Sequence, residues 1–205
     1  MGAIRRNRKP LLPLYFSTKF LPMGLLKPLR LRLHRYLLDK EQQKWRRAPR
    51  SVNWADARYI GILFDATDLN KRQTVLHFSE QFKAPDRKVK LLGYFDNDQQ
   101  DSNFIFPHFN RKQFDWALRP SASAVTAFVE EPFDLLLTID PTSRLHSEYI
   151  ALRSQAALKV GPYTENTDCY DLMIDPADSG NIEAFIQQIE GLLKKTQTRH
   201  EPAQV

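Results

Sequence analysis

The chain has 205 residues, 42% of them hydrophobic, with one cysteine and a net charge of +6. That is enough apolar material for one domain with a core, and the single Cys169 excludes an internal disulfide. No apolar run reaches the ~18 residues of a spanning helix, and the charge is unevenly held: residues 1–50 carry 14 Lys and Arg against Asp39 and Glu41, which leaves the remainder net acidic.

Residues 1–50 read as a basic N-terminal arm. Arg5, Arg6, Arg8 and Lys9 precede an apolar stretch that looks like the start of a secretory signal. Lys19, Pro13 and Pro22 interrupt it, and no small-residue cleavage site follows. Pro10, Pro13, Pro22 and Gly24 exclude a long helix before position 27. Pro28 suits a first helical turn, which predicts a helix over about 28–47. Leu29, Leu33, Tyr36 and Leu37 share its apolar face.

Residues 51–196 then alternate between apolar runs and amphipathic stretches. Tyr59 to Phe64 reads as a buried strand ending at Asp65, followed by a helix over Leu69 to Lys83. Val89 to Phe95 is a second strand, ending at Asp96. Phe104 to Trp116 is aromatic and irregular, with a short strand around Phe106 to Phe109, and a helix follows over Ser121 to Glu130. Phe133 to Ile139 is a strand ending at Asp140, with a helix over Leu145 to Ala156 behind it. Lys159 to Tyr163 and Tyr170 to Ile174 are further strands, the latter ending at Asp175. Ile182, Phe185, Ile186, Ile189 and Leu193 mark a last amphipathic helix, and residues 197–205 form a flexible polar tail. Strands alternating with helices predict an α/β fold: one Rossmann-like, mainly parallel sheet with helices on both faces, preceded by the basic helical arm.

Asp65, Asp96, Asp140 and Asp175 each close a predicted strand, so a parallel sheet brings them to its carboxyl edge, where open α/β folds bind ligands. Strands lie about 4.8 Å apart, so neighbouring carboxylates can converge on one divalent cation such as Mg²⁺. Asp65, Asp68, Asp96, Asp140 and Asp175 are the catalytic candidates, and Asp65 and Asp140 the candidate metal pair. The bland alternative is that these residues cap the turns that follow.

No Gly-x-Gly-x-x-Gly follows a strand and no Gly-Lys-Ser/Thr loop exists, so no dinucleotide cofactor or P-loop nucleotide is predicted. His34, His77, His108, His146 and His200 show no metal spacing, and Cys169 reads as a buried apolar residue rather than a nucleophile. The stretch Phe104 to Trp116 has two readings. One is a recognition loop pairing Arg111 and Lys112 with aromatics. The other is a connection that buries Phe106, Phe109, Phe114 and Trp116 in the core.

The basic arm has three readings. Arg5, Arg6, Arg8, Lys9, Arg30, Arg32, Arg35, Arg46 and Arg47 suit phosphate contacts to nucleic acid. The leucines and aromatics before Pro28 suit insertion into an anionic membrane surface. A helix packed on its own body or on a protein partner, with its cations solvated, explains the same residues.

Ile60-Gly-Ile-Leu-Phe-Asp-Ala-Thr-Asp68, Leu92-Gly-Tyr-Phe-Asp96, Phe109 to Trp116, Phe133-Asp-Leu-Leu, Lys159-Val-Gly161 and Tyr170 to Asp175 resemble a family of short uncharacterised proteins of Bacteroidetes-type bacteria, over about residues 30–195. That resemblance implies no activity. Ala156 to Gly161, an Ala-x-x-Lys-Val-Gly turn behind a strand and a helix, is similar to one half of heptosyltransferase-like glycosyltransferases. Such enzymes enclose a sugar nucleotide between two halves, and this chain has room for one, so the likeness implies fold alone. The functional expectation is a non-catalytic binding or adaptor protein whose arm docks on an anionic partner. It is expected in the cytoplasm, or peripherally at the inner face of the membrane. The rival expectation is a small enzyme with a carboxylate-lined, Mg²⁺-dependent site at the strand ends.

Overall fold

A computed structural model of the protein describes residues 23–44, 56–97, 103–176 and 180–197. Six strands form one sheet: β1 Tyr59–Asp65, β2 Lys88–Phe95, β3 His108–Asn110, β4 Leu135–Ile139, β5 Leu158–Pro162 and β6 Leu172–Ile174. Five helices accompany them: α1 Met23–Lys44, α2 Leu69–Glu80, α3 Ser123–Val129, α4 Leu145–Arg153 and α5 Ile182–Gln197. A 3-10 turn, Arg111–Gln113, follows β3.

The sheet order is β3-β2-β1-β4-β5-β6, and every pairing is parallel. The mainly parallel sheet expected from the sequence is thus parallel throughout the described strands. From β1 the chain steps outward one way to β3, then returns to β4 and steps the other way to β6. The reversal lies between β1 and β4, where this order opens a crevice at the carboxyl ends.

The central strands are apolar on both sides because both sides are covered. In β1 and β4 the period-2 alternation sends Ile60, Ile62, Phe64, Leu135, Leu137 and Ile139 into the core beneath α2 and α5. Leu63 and Leu136 enter the opposite core with residues of α1, α3 and α4. Gly61 and Gly161 are notches in these faces. A Cβ on Gly61 would lie 2.8 Å from the Phe133 ring, and one on Gly161 would lie 2.4 Å from the Tyr170 ring.

Helix α1 differs from its expected bounds. It begins at Met23, so Pro28 sits inside it rather than in its first turn. There Pro28 lacks the N–H that would bond the Gly24 carbonyl. The expected end at 47 lies outside the described residues, as does the tail from 198. Other elements are shorter than expected: α2 ends at Glu80 rather than Lys83, α3 spans Ser123–Val129 rather than Ser121 to Glu130, and β3 is His108–Asn110 rather than Phe106 to Phe109. β4 starts at Leu135, just after Asp134, whose carboxylate accepts the amides of Arg58 and Tyr59, both at 2.9 Å. β6 starts at Leu172, after Tyr170 has packed on Gly161. α4 ends at Arg153.

Candidate functional site

At the crevice, Asp65 closes β1 and Asp140 follows β4, on adjacent strands. They do converge, and what they converge on is a guanidinium. Arg144, which stands immediately before α4, donates from Nη2 to Asp65 Oδ2 at 2.6 Å and from Nε to Asp140 Oδ2 at 2.8 Å. The other oxygen of each carboxylate accepts the amide two residues on: Thr67 N to Asp65 Oδ1 and Thr142 N to Asp140 Oδ1, both at 2.9 Å. Each aspartate therefore closes its own turn and holds one side of the same cation.

The electrostatics follow from burial. Burial pushes the Asp140 carboxyl above its ordinary value, against the pull of the Thr142 amide and Arg144. Burial pulls Arg144 the other way, but Asp140 and Asp65 outweigh it and hold the guanidinium more firmly charged.

The remaining aspartates are placed apart. Asp68 caps α2, its Oδ1 accepting the Lys71 amide at 2.9 Å. Asp96, one strand over, accepts the Tyr94 hydroxyl at 3.0 Å and lies 3.6 Å from Arg111 Nε. Asp175 is exposed beyond β6, at the far edge of the sheet and three strands from β1. The turn after β1 has its amides engaged as well. Ala66 N donates to the Tyr94 carbonyl at 2.7 Å, beside the Thr67 and Lys71 bonds. Among the described residues no three His, Cys, Asp or Glu side chains cluster as metal ligands.

Above the crevice is a cavity of about 420 Å³. Arg30 of α1, Arg111 and Arg144 line it, with Tyr94, Phe114, Leu118, Leu145 and His146. The carboxylates that pair with Arg111 and Arg144 stand behind the lining, so the wall presents guanidinium and aromatic groups. His146 packs against the rings of Tyr94, Phe109 and Phe114, at centroid distances of 4.0, 5.7 and 5.7 Å. Burial, and then the nearby Arg144, lower its pKa to about 3, so it is a neutral ring at neutral pH. Leu145 also borders a second cavity of about 630 Å³, whose wall carries Asp39, Glu148 and Glu165 against Arg35.

Helix α1 is fastened over this region. Arg30 Nε donates to the Trp116 carbonyl at 2.9 Å, and His34 Nδ1 pairs with the Ala117 carbonyl at 2.9 Å. His34 and Leu38 are buried, whereas Arg32, Arg35, Tyr36 and Lys40 are exposed, Arg35 at the border of the second cavity. Lys40 Nζ lies 4.8 Å over the Tyr36 ring. Arg5, Arg6, Arg8, Lys9, Arg46 and Arg47 lie outside the described residues. None of the described helices is long and apolar enough to cross a membrane.

The aromatic stretch is mostly core: Phe106 and Phe109 are buried and Phe114 partly so. Trp116 is the exception, 53% exposed beside α1. Cys169 is fully buried, and burial raises its thiol, as a packed apolar residue requires. Arg144, Tyr94, Leu118 and His146 were not among the residues the sequence singled out for a site. The one local sign was an arginine four residues after Asp140, in the turn that follows a strand.

Residues 30–196 match a family described as Family of unknown function (DUF6913). No curated protein matches the chain.

Proposed function

We propose, from the premise that the chain belongs to the family of unknown function DUF6913, that it is a non-catalytic binding protein docking on single-stranded nucleic acid. The docking surface is the outward face of α1. One observation carries this reading: α1 is pinned to the body through Arg30 and His34, while Arg32, Arg35 and Lys40 are exposed around Tyr36. Cations beside an open aromatic face suit a strand whose phosphates are neutralised and whose bases stack. Trp116, exposed beside Arg30, extends the surface by a second ring. A membrane reading has less support on this face, where Leu29 is the one exposed large aliphatic residue among the described side chains of positions 28–40.

The carboxylate enzyme has less support still. The four oxygens of Asp65 and Asp140 are already engaged by Arg144 and by turn amides. A divalent cation there would have to displace a guanidinium held by two ion pairs.

Fluorescence anisotropy with a labelled single-stranded RNA, at low and raised salt, tests the docking reading. Binding is expected to weaken steeply with salt and to fall about tenfold or more when Arg32, Arg35 and Lys40 are all changed to Ala. RNA binding unaltered by that change refutes it. Salt-sensitive sedimentation with phosphatidylglycerol vesicles, without RNA binding, moves the partner to the membrane surface.

A further inference from the structure

We propose that the cavity of about 420 Å³ above the β1–β4 crevice is a site for a small phosphate monoester carrying a flat ring. The inference does not rest on nucleic-acid docking, because its deciding residues, Arg111, Arg144 and Leu118, stand on elements other than α1.

Three guanidiniums from three separate elements border one space: Arg30 from α1, Arg111 from the turn after β3, and Arg144 from the start of α4. Two of them are oriented by the protein before any ligand arrives. Arg30 is aimed by the Trp116 carbonyl and Arg144 by Asp65 and Asp140. The Nη pair of Arg30 and Nη1 of Arg144 take no part in those bonds, and Arg111 meets Asp96 only at 3.6 Å. Guanidinium forks match the oxygens of phosphate, and three of them exceed what one carboxylate engages. The rest of the wall is flat or aliphatic: Tyr94, Phe114, Leu118 and Leu145, with the neutral ring of His146. Arg144 already lies 5.9 Å over the Tyr94 ring, so the cation and the aromatic surface are adjacent. The volume is in the range of small-molecule sites.

A second, independent observation points to the same wall. Leu118 has φ 62°, the one positive φ at a non-glycine residue among those described. Such a conformation normally calls for Gly or Asn. Here a leucine is held in it by the 115–119 turn, closed by Leu118 N to the Asp115 carbonyl at 3.1 Å and by the Arg119–Asp115 pair at 2.8 Å. Strained residues concentrate where a side chain is needed in one place, and this one borders the cavity.

Isothermal titration calorimetry with phenyl phosphate, adenosine monophosphate and benzoate tests the site on the full chain. Phenyl phosphate or adenosine monophosphate is expected to bind saturably at one site, about tenfold tighter than benzoate, with shifted NMR signals from the His146 ring. Arg111→Ala, at a side chain 62% exposed, is expected to fold normally and weaken binding about tenfold, as loss of one charge-assisted pair predicts. Leu118→Gly is expected to weaken binding without lowering Tm. Absence of saturable binding by both phosphates at millimolar concentration overturns the proposal. So does binding that neither substitution changes, and benzoate binding as tightly as phenyl phosphate overturns the assignment to phosphate.

Discussion

Two carboxylates on adjacent parallel strands repel each other unless a cation stands between them, and Arg144 is that cation for Asp65 and Asp140. Removing it leaves Asp140, largely buried, facing Asp65 with no counter-charge. Breaking a fully buried pair costs about 3–5 kcal/mol, and Arg144, about a third exposed, is partly screened, so Arg144→Met is expected to cost about 2–3 kcal/mol. Urea unfolding measures this. Adding Asp65→Asn to Arg144→Met is expected to recover part of the loss, because the repulsion goes with the charge. Equal stability of Arg144→Met and the native chain would mean that the bridge holds nothing. Leu118 gives the opposite sign. Left-handed backbone costs a non-glycine residue about 1–2 kcal/mol, so Leu118→Gly is expected to be neutral or to stabilise by up to about 1 kcal/mol, despite the greater freedom glycine gives the unfolded chain. A loss above 1 kcal/mol in the same unfolding measurement would show that Leu118 is held by packing rather than strained.

Elements were legible in the sequence where one local pattern decides them. β1 and β4 are continuous apolar runs because helices cover both faces, and α5 announces itself by Ile182, Phe185, Ile186, Ile189 and Leu193, all buried. The aspartates at the strand ends were legible for the same reason. What was hidden is long-range. Arg144 reaches Asp65 across 79 positions, and α1 takes its place from bonds to Trp116 and Ala117, more than 80 positions away. Neither leaves a periodic trace. Lys159 is a further case: it lies in a strand, is 5% exposed, and its Nζ donates to the Ala151 and Leu152 carbonyls at the end of α4. Those carbonyls are among the last of the helix and have no intrahelical partner. Lys159→Met keeps the aliphatic stem and removes the donors, so it is expected to cost about 1–3 kcal/mol. Hydrogen exchange is expected to quicken in α4 more than in α2. Quickening spread equally over both helices would place the role of Lys159 in general packing instead.

For the whole molecule, net charge describes little, because residues 1–50 are strongly basic and the rest is acidic. The docked part of α1 therefore meets a body of opposite sign, and pH acts on that body through groups the fold holds away from their ordinary titration. His146 is the clearest. Its folded pKa, about 3, lies below the ordinary 6.5, so between these values the unfolded chain binds the extra proton. Stability then rises with pH in that window. The His146 contribution is complete above pH 6.5 and is lost progressively as the pH falls toward 3. Asp140 works the other way, because its carboxyl is raised by burial and the folded state holds its proton to higher pH. Comparing the native chain with His146→Leu cancels the Asp140 effect. From pH 7 to pH 5 the native chain is expected to lose about 2 kcal/mol more than the variant, from 1.36 kcal/mol per unit over about 1.5 units. Urea midpoints at the two pH values give the difference. Parallel losses in both proteins would mean that His146 takes up its proton in the folded state, and that the ring bordering the cavity carries charge near pH 6. The wall would then hold a fourth cation, and phosphate binding would be held up on acidification from pH 7 to 6, where the ligand's own loss of its second charge otherwise weakens it.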